Sequence, residues 1–214
     1  MHTTQRIDVF DGQKLVPLAA PADPAQTLAL HRGLLDGGLN IVEIGLRTPH
    51  AMTALSELAA DGDLIVGAGT VMNGSQANEA LSAGAQFLVS PGFADDILGV
   101  AIDNNVPYVP GVATATEVMR SWQAGLRLVK LFPANILGGL RYIDALGSAF
   151  RDVSFMPSGG VSPDTLAEHL AHPAVAMVSG SWMTSSTTLD RGAAEVAGTV
   201  RAALATTSDI GARA

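Results

Sequence analysis

The sequence predicts a single-domain α/β protein, a closed (β/α)8 barrel of the TIM type over residues 1–214, on three observations. Short apolar or β-branched runs recur eight times, most of them ending at Gly, Pro, Ser or Thr. Between them lie segments with Ala and Leu at helical spacing. The runs begin about 20 to 26 residues apart, the length of a strand plus a covering helix, and are nearly continuously apolar, as in parallel strands buried on both faces.

The first strand, 15–20, runs into Pro21 and Pro24, and the helix 24–35 follows. Strand 40–45 carries Glu43 in an apolar run and is followed by Arg47, Thr48 and a helix at 51–60. Strand 64–70 ends in Gly67-Ala68-Gly69-Thr70 before the helix 75–83. Strand 87–92 ends in Ser90-Pro91-Gly92 before 95–102, and strand 106–111 in Pro110-Gly111, with Thr114 before the helix 116–124. Strand 126–133 contains Lys130. Strand 153–158 leads into Ser158-Gly159-Gly160 and the helix 163–170, and strand 175–181 ends in Ser179-Gly180-Ser181 before a last helix at 193–204. The tail at about 206–214 has turn formers and no periodic apolar face, so it is expected to fray. A doubly wound open sheet is the alternative fold. It usually stops at five or six strands and carries a Gly-rich turn after its first strand, where this chain has none.

Composition narrows the function. Hydrophobic residues make up 48%, charged residues 15% and aromatics 5%, so the core is built from aliphatic side chains. A net charge of −8 argues against nucleic acid and acidic membrane surfaces, which need a basic footprint. The lack of cysteine excludes disulfides, thiolate metal sites and a thiol nucleophile. Polar or Gly positions interrupt every apolar run before the roughly 18 residues of a membrane span, and MHTTQRIDVFDGQ lacks the apolar centre of a signal peptide. A soluble, cytoplasmic protein is expected. Of the 12 basic residues, only Lys14 and Lys130 are lysines.

Strand ends are where this fold puts its chemistry. Lys130 shares a strand face with Leu126, Leu128 and Phe132, which places it inside. A buried lysine either pairs with a carboxylate or serves as an amine nucleophile that forms a Schiff base with a ketone. Glu43 is either a general acid/base or the counter-ion of Lys130 or Arg47. Arg47, past its strand end, has the planar fork that clamps a carboxylate, or else is a solvated loop residue. The turns at Ser158-Gly159-Gly160 and Ser179-Gly180-Ser181 offer N–H groups and hydroxyls where many barrels hold phosphate. His2, His31, His50, His169 and His172 are not at strand ends, so no metal site is expected, and the serines lack a histidine base.

In order and spacing, the runs IVEIGLRTPHA (41–51), IVGAGTVMN (65–73), AGAQFLVSPGF (83–93), VPYVPGVATATEVM (106–119), LVKLFPANILGG (128–139), FMPSGGVSP (155–163) and SGSWM (179–183) resemble the class I 2-keto-3-deoxy-6-phosphogluconate aldolases, some of which also act on 4-hydroxy-2-oxoglutarate. The resemblance implies that Lys130 forms the Schiff base and Glu43 is the acid/base. It puts pyruvate binding on Arg47, Thr70, Pro91 and Phe132, and phosphate binding on Gly159, Gly160, Gly180 and Ser181 beside Ser158. It further implies a small phosphorylated keto acid as substrate, no cofactor and a homotrimer. A phosphate-binding isomerase or epimerase and a non-catalytic sugar-phosphate binding protein are the alternatives. The sequence departs from the family pattern at Gly45, usually Thr; at Asn135, often acidic; and at Ser158 and Ser179, commonly Thr and Gly. Gly45 shares a strand face with Glu43, so a wider pocket or an extra water is expected there.

Overall fold

The computed structural model describes residues 7–211, with side chains to 207. In chain order the elements are β1 (Leu15–Ala19), α1 (Pro24–Gly37), β2 (Ile41–Gly45), α2 (Ala51–Asp61), β3 (Ile65–Gly69), α3 (Gly74–Ser82), β4 (Phe87–Val89), α4 (Asp95–Asp103), β5 (Tyr108–Val109), β6 (Gly111–Val112), α5 (Ala115–Gln123), β7 (Leu128–Leu131), α6 (Leu140–Ala149), β8 (Ser154–Pro157), α7 (Pro163–Ala171), β9 (Val178–Gly180), α8 (Ser186–Asp190) and α9 (Ala193–Gly211). The tail expected to fray is helical through Gly211, and residues 212–214 lie outside the described residues, as do 1–6 of the N-terminal stretch read for a signal. Two helices, α6 and α8, were not expected.

Local chemistry starts the helices. Asp23 accepts the Gln26 N–H at 2.9 Å with Pro24 in the first turn of α1, and Asn73 does the same for Gln76 at α3. Ser162 and Thr165 form a capping box at α7. The strands are buried almost throughout, and all their pairings are parallel. Helix α9 lies against α1 so closely that a Cβ on Gly33 would fall 2.4 Å from Val196, and one on Gly37 2.7 Å from Val200.

The closed eight-stranded (β/α)8 barrel is corrected by the sheet topology. A six-stranded half-barrel runs β5-β4-β3-β2-β1-β9, and a separate three-stranded sheet runs β6-β7-β8. Two prolines account for the breaks. Ser154 and Ser158 donate their backbone N–H groups to Arg127 and Leu131 on the β7 side, whereas Phe155 donates to Ala174 on the β9 side. Alternation turns residue 157 toward β9, and Pro157 has no N–H to give. Two isolated bridges, Phe155 to Val175 and Ser158 to Ser179, are what joins β8 to the β9 segment. At the other break the Lys130 N–H donates to the Pro110 carbonyl, so residue 110 faces β7, and it too lacks a donor. The strand expected at 106–111 is thereby split into β5 and β6, one in each sheet.

Candidate active site

Glu43 is fully buried in β2, and Lys130 in β7 is 5% exposed. Lys130 Nζ donates to Glu43 Oε1 at 3.0 Å, so the pair joins the two sheets across the interior. Ser179 Oγ, in β9, donates to the other carboxylate oxygen at 3.1 Å. A buried ion pair repays its desolvation only when its geometry is good and its remaining lone pairs are satisfied, and here each oxygen has its own donor. β3 supplies the space. A Cβ on Gly69 would lie 2.3 Å from Glu43 Oε1, so a glycine at that position is what admits the carboxylate.

Around this pair stand the other residues singled out from sequence. The Phe132 ring lies past the end of β7, 37% exposed, with its centroid 5.6 Å from Lys130 Nζ, within cation–π range. Arg47 is exposed beyond β2. The Cβ missing at Gly45 would lie 3.0 Å from Arg47 Nε and 3.3 Å from Leu18 Cδ1, so the guanidinium borders the place a larger side chain would take. Thr70 follows β3 with a φ of 58°, a left-handed conformation that costs a β-branched residue about 1–2 kcal/mol. Pro91 is held from beneath. Ser90 Oγ lies 2.6 Å from the Tyr108 hydroxyl, which accepts the Ala94 N–H at 3.1 Å, and a Cβ on Gly111 would lie 2.1 Å from the Pro91 carbonyl oxygen. Burial pushes the Tyr108 phenol above its ordinary value of 10.0, against the hydrogen bonds from Ser90 and Ala94, which favour ionisation.

The two turns lie side by side through the Ser158–Ser179 bridge. Ser158 is buried, and Gly159 and Gly160 have φ of 86° and 90°. The carbonyls of Ser158 and Gly159 accept from Ala134 and Asn135 at 2.8 and 3.0 Å. Among the described residues no backbone hydrogen bond takes the N–H of Gly159 or Gly160, so both are available to an anion. A Cβ on Gly160 would run into Asn135, and one on Gly180 into the Trp182 ring, 1.8 Å away. Ser181 is exposed at the start of a short 3-10 turn, Trp182–Thr184.

The structure thus pairs Glu43 with Lys130, places the Phe132 ring within cation–π range of Lys130 and sets the two turns beside each other, while Arg47 and Thr70 stand past the ends of β2 and β3. Sequence reasoning noticed Ser179 as a departure and as part of a phosphate-holding turn, and missed its hydrogen bond to Glu43. It also missed the clearance that Gly69 provides and the support of Pro91 by Tyr108. Strand alternation could have flagged Gly69; nothing in the sequence points from β9 to β2. Among the described residues no cluster of three or more His, Asp or Glu is placed to hold a metal ion, and no helix is long and apolar enough to cross a membrane.

The family model described as KDPG and KHG aldolase matches residues 7–199. A 2-dehydro-3-deoxy-phosphogluconate aldolase of Pseudomonas aeruginosa is 41% identical over 191 residues, 88% of this chain and 87% of that protein. The crystal structure of the 2-keto-3-deoxy-6-phosphogluconate aldolase of Zymomonas mobilis ZM4 with 3-phosphoglycerate is 34% identical and superposes with a TM-score of 0.87, covering 94% of this chain and 96% of that one. KDPG aldolase from Legionella pneumophila, with pyruvate captured as a covalent carbinolamine intermediate, is 32% identical with a TM-score of 0.87, covering 91% and 96%. A chain matched by that model over nearly its whole described length, with such relatives, belongs to the KDPG and KHG aldolase family.

Proposed function

We propose that this chain is a class I aldolase that cleaves 2-keto-3-deoxy-6-phosphogluconate to pyruvate and glyceraldehyde 3-phosphate, and also 4-hydroxy-2-oxoglutarate to pyruvate and glyoxylate. The observation that carries the reading is the buried Lys130–Glu43 pair at 3.0 Å, an amine and a proton acceptor already in hydrogen-bond contact. Passing a proton from Nζ to Oε1 leaves a free amine, which attacks the C2 ketone and gives a carbinolamine. Glu43 returns that proton to the departing hydroxyl, water leaves, and the protonated imine remains on Lys130. The regenerated carboxylate, through a bound water, takes the C4 hydroxyl proton as the C3–C4 bond breaks, and the bonding pair flows into the imine to give an enamine. The aldehyde departs, C3 is protonated, and hydrolysis frees pyruvate and Lys130.

In this reading Arg47 and Thr70 hold the substrate carboxylate, and Pro91 and Phe132 line the pyruvate end. The unpaired N–H groups of Gly159 and Gly160, with Ser158, Gly180 and Ser181, hold the phosphate. The imine is the electron sink, so the steps call for no cofactor. The carbinolamine captured in the Legionella pneumophila aldolase is an intermediate on this path. The working form is a homotrimer in the cytoplasm, which light scattering and cell fractionation read directly.

Borohydride reduction in the presence of pyruvate tests the chemistry. Lys14 and Lys130 are the two lysines, so peptide mass mapping assigns the adduct with little ambiguity. Modification at Lys130 with aldol cleavage supports the proposal, and the absence of both overturns it in favour of an isomerase or a binding protein.

A further inference from the structure

We propose that Ser179 is a positioning residue for Glu43, committing one carboxylate oxygen to its own hydroxyl so that the other stays on Lys130. The inference rests on the aldolase reading above. Both residues are fully buried, and Ser179 Oγ donates to Glu43 Oε2 at 3.1 Å. The last torsion of a glutamate is intrinsically broad, so a carboxylate with one partner can turn. Here Lys130 holds Oε1, Ser179 holds Oε2, and the β3 backbone at Gly69 leaves no room for a side chain beside it. The Ser179 backbone is itself anchored on two sides, in register with Val16 of β1 and bridged to Ser158.

Lys130 Nζ falls from three N–H donors to one when it becomes the protonated imine, whereas Ser179 does not take part in the bond changes. It keeps the carboxylate aimed through the cleavage step. Lys130 of β7 is the charged group in contact with the carboxylate, and Arg47 borders Gly45 two residues along. Strands β1, β3 and β9 present Leu18, Gly67 with Gly69, and Ser179, none of which titrates.

Steady-state aldol cleavage by Ser179→Gly and Ser179→Ala, with thermal melting as a check on folding, tests this. Expected is a fall in kcat of about three- to tenfold with KM changed less than about twofold. Ser179→Thr, which keeps the hydroxyl, restores kcat. An unchanged kcat in a folded Ser179→Gly that still traps pyruvate on Lys130 overturns the proposal alone. Failure of the wild-type chain to trap pyruvate overturns the aldolase reading with it.

Discussion

Two positions on one strand show how the same interior serves two ends. Gly67 and Gly69 lie two residues apart in β3 and share a face. At Gly67 the vacated space holds the Phe87 ring, 2.1 Å from where a Cβ would stand, and that ring meets Phe10 edge to face at 4.9 Å. At Gly69 it holds the Glu43 carboxylate. One strand step separates a layer closed by hydrocarbon from a layer held by one ion pair and one hydroxyl. The lesson is that glycine makes room, and the neighbouring strand decides whether the room is filled for stability or for chemistry.

Four experiments break or sharpen this contrast. The largest effect belongs to Lys130→Arg, which keeps a cation beside Glu43 and cannot form an imine. Cleavage falls by about 10⁴-fold or more, while the melting temperature stays within a few degrees. Gly69→Ala comes next. Its methyl displaces the carboxylate, and an ångström of misplacement costs about 10²-fold in kcat. Gly67→Ala is its mirror image, with about 1–3 kcal/mol of stability lost to overpacking against Phe87 and kcat per folded molecule retained; a kcat loss as large as that of Gly69→Ala would erase the distinction between the layers.

The smallest effect is that of Tyr108→Phe, which removes hydrogen bonds to Ser90 and Ala94 and costs about 1–2 kcal/mol. Because burial raises the Tyr108 phenol in the folded state, its contribution is complete below pH 10.0 and is lost as the pH rises through the raised folded value. Denaturant unfolding of the wild type between neutral pH and about pH 11 therefore shows an alkaline decline that flattens in the variant.

Most of the strand and helix order was legible, because apolar runs and caps are local signals. What was not legible followed from partners far apart in sequence. The breaks in the sheet depend on which way the N–H positions of residues 110 and 157 point, and the apolar pattern is blind to that. Helix α6 lies outside the helices that the apolar spacing predicts. Its buried face rests on Ile143 and Leu146, a sparse periodic signal. In the site, strand parity put Glu43 and Lys130 inside and left open whether they were counter-ions or catalysts; the 3.0 Å contact makes them one unit. Ser179 reaches Glu43 across the interior rather than along the sheet, a relation no spacing rule encodes.

The chain order within the six-stranded sheet bears on how the protein is made. β1 sits between β2 and β9, and α1 seats α9 on Gly33 and Gly37. On a ribosome, β1 and α1 emerge with β2 close behind, while β9 and α9 are made more than a hundred residues later, on the order of ten seconds at ordinary elongation rates. Through that interval β1 has an unpaired edge and α1 an uncovered glycine groove, the two surfaces on which a chaperone or a neighbouring nascent chain would compete with the chain's own C-terminal third.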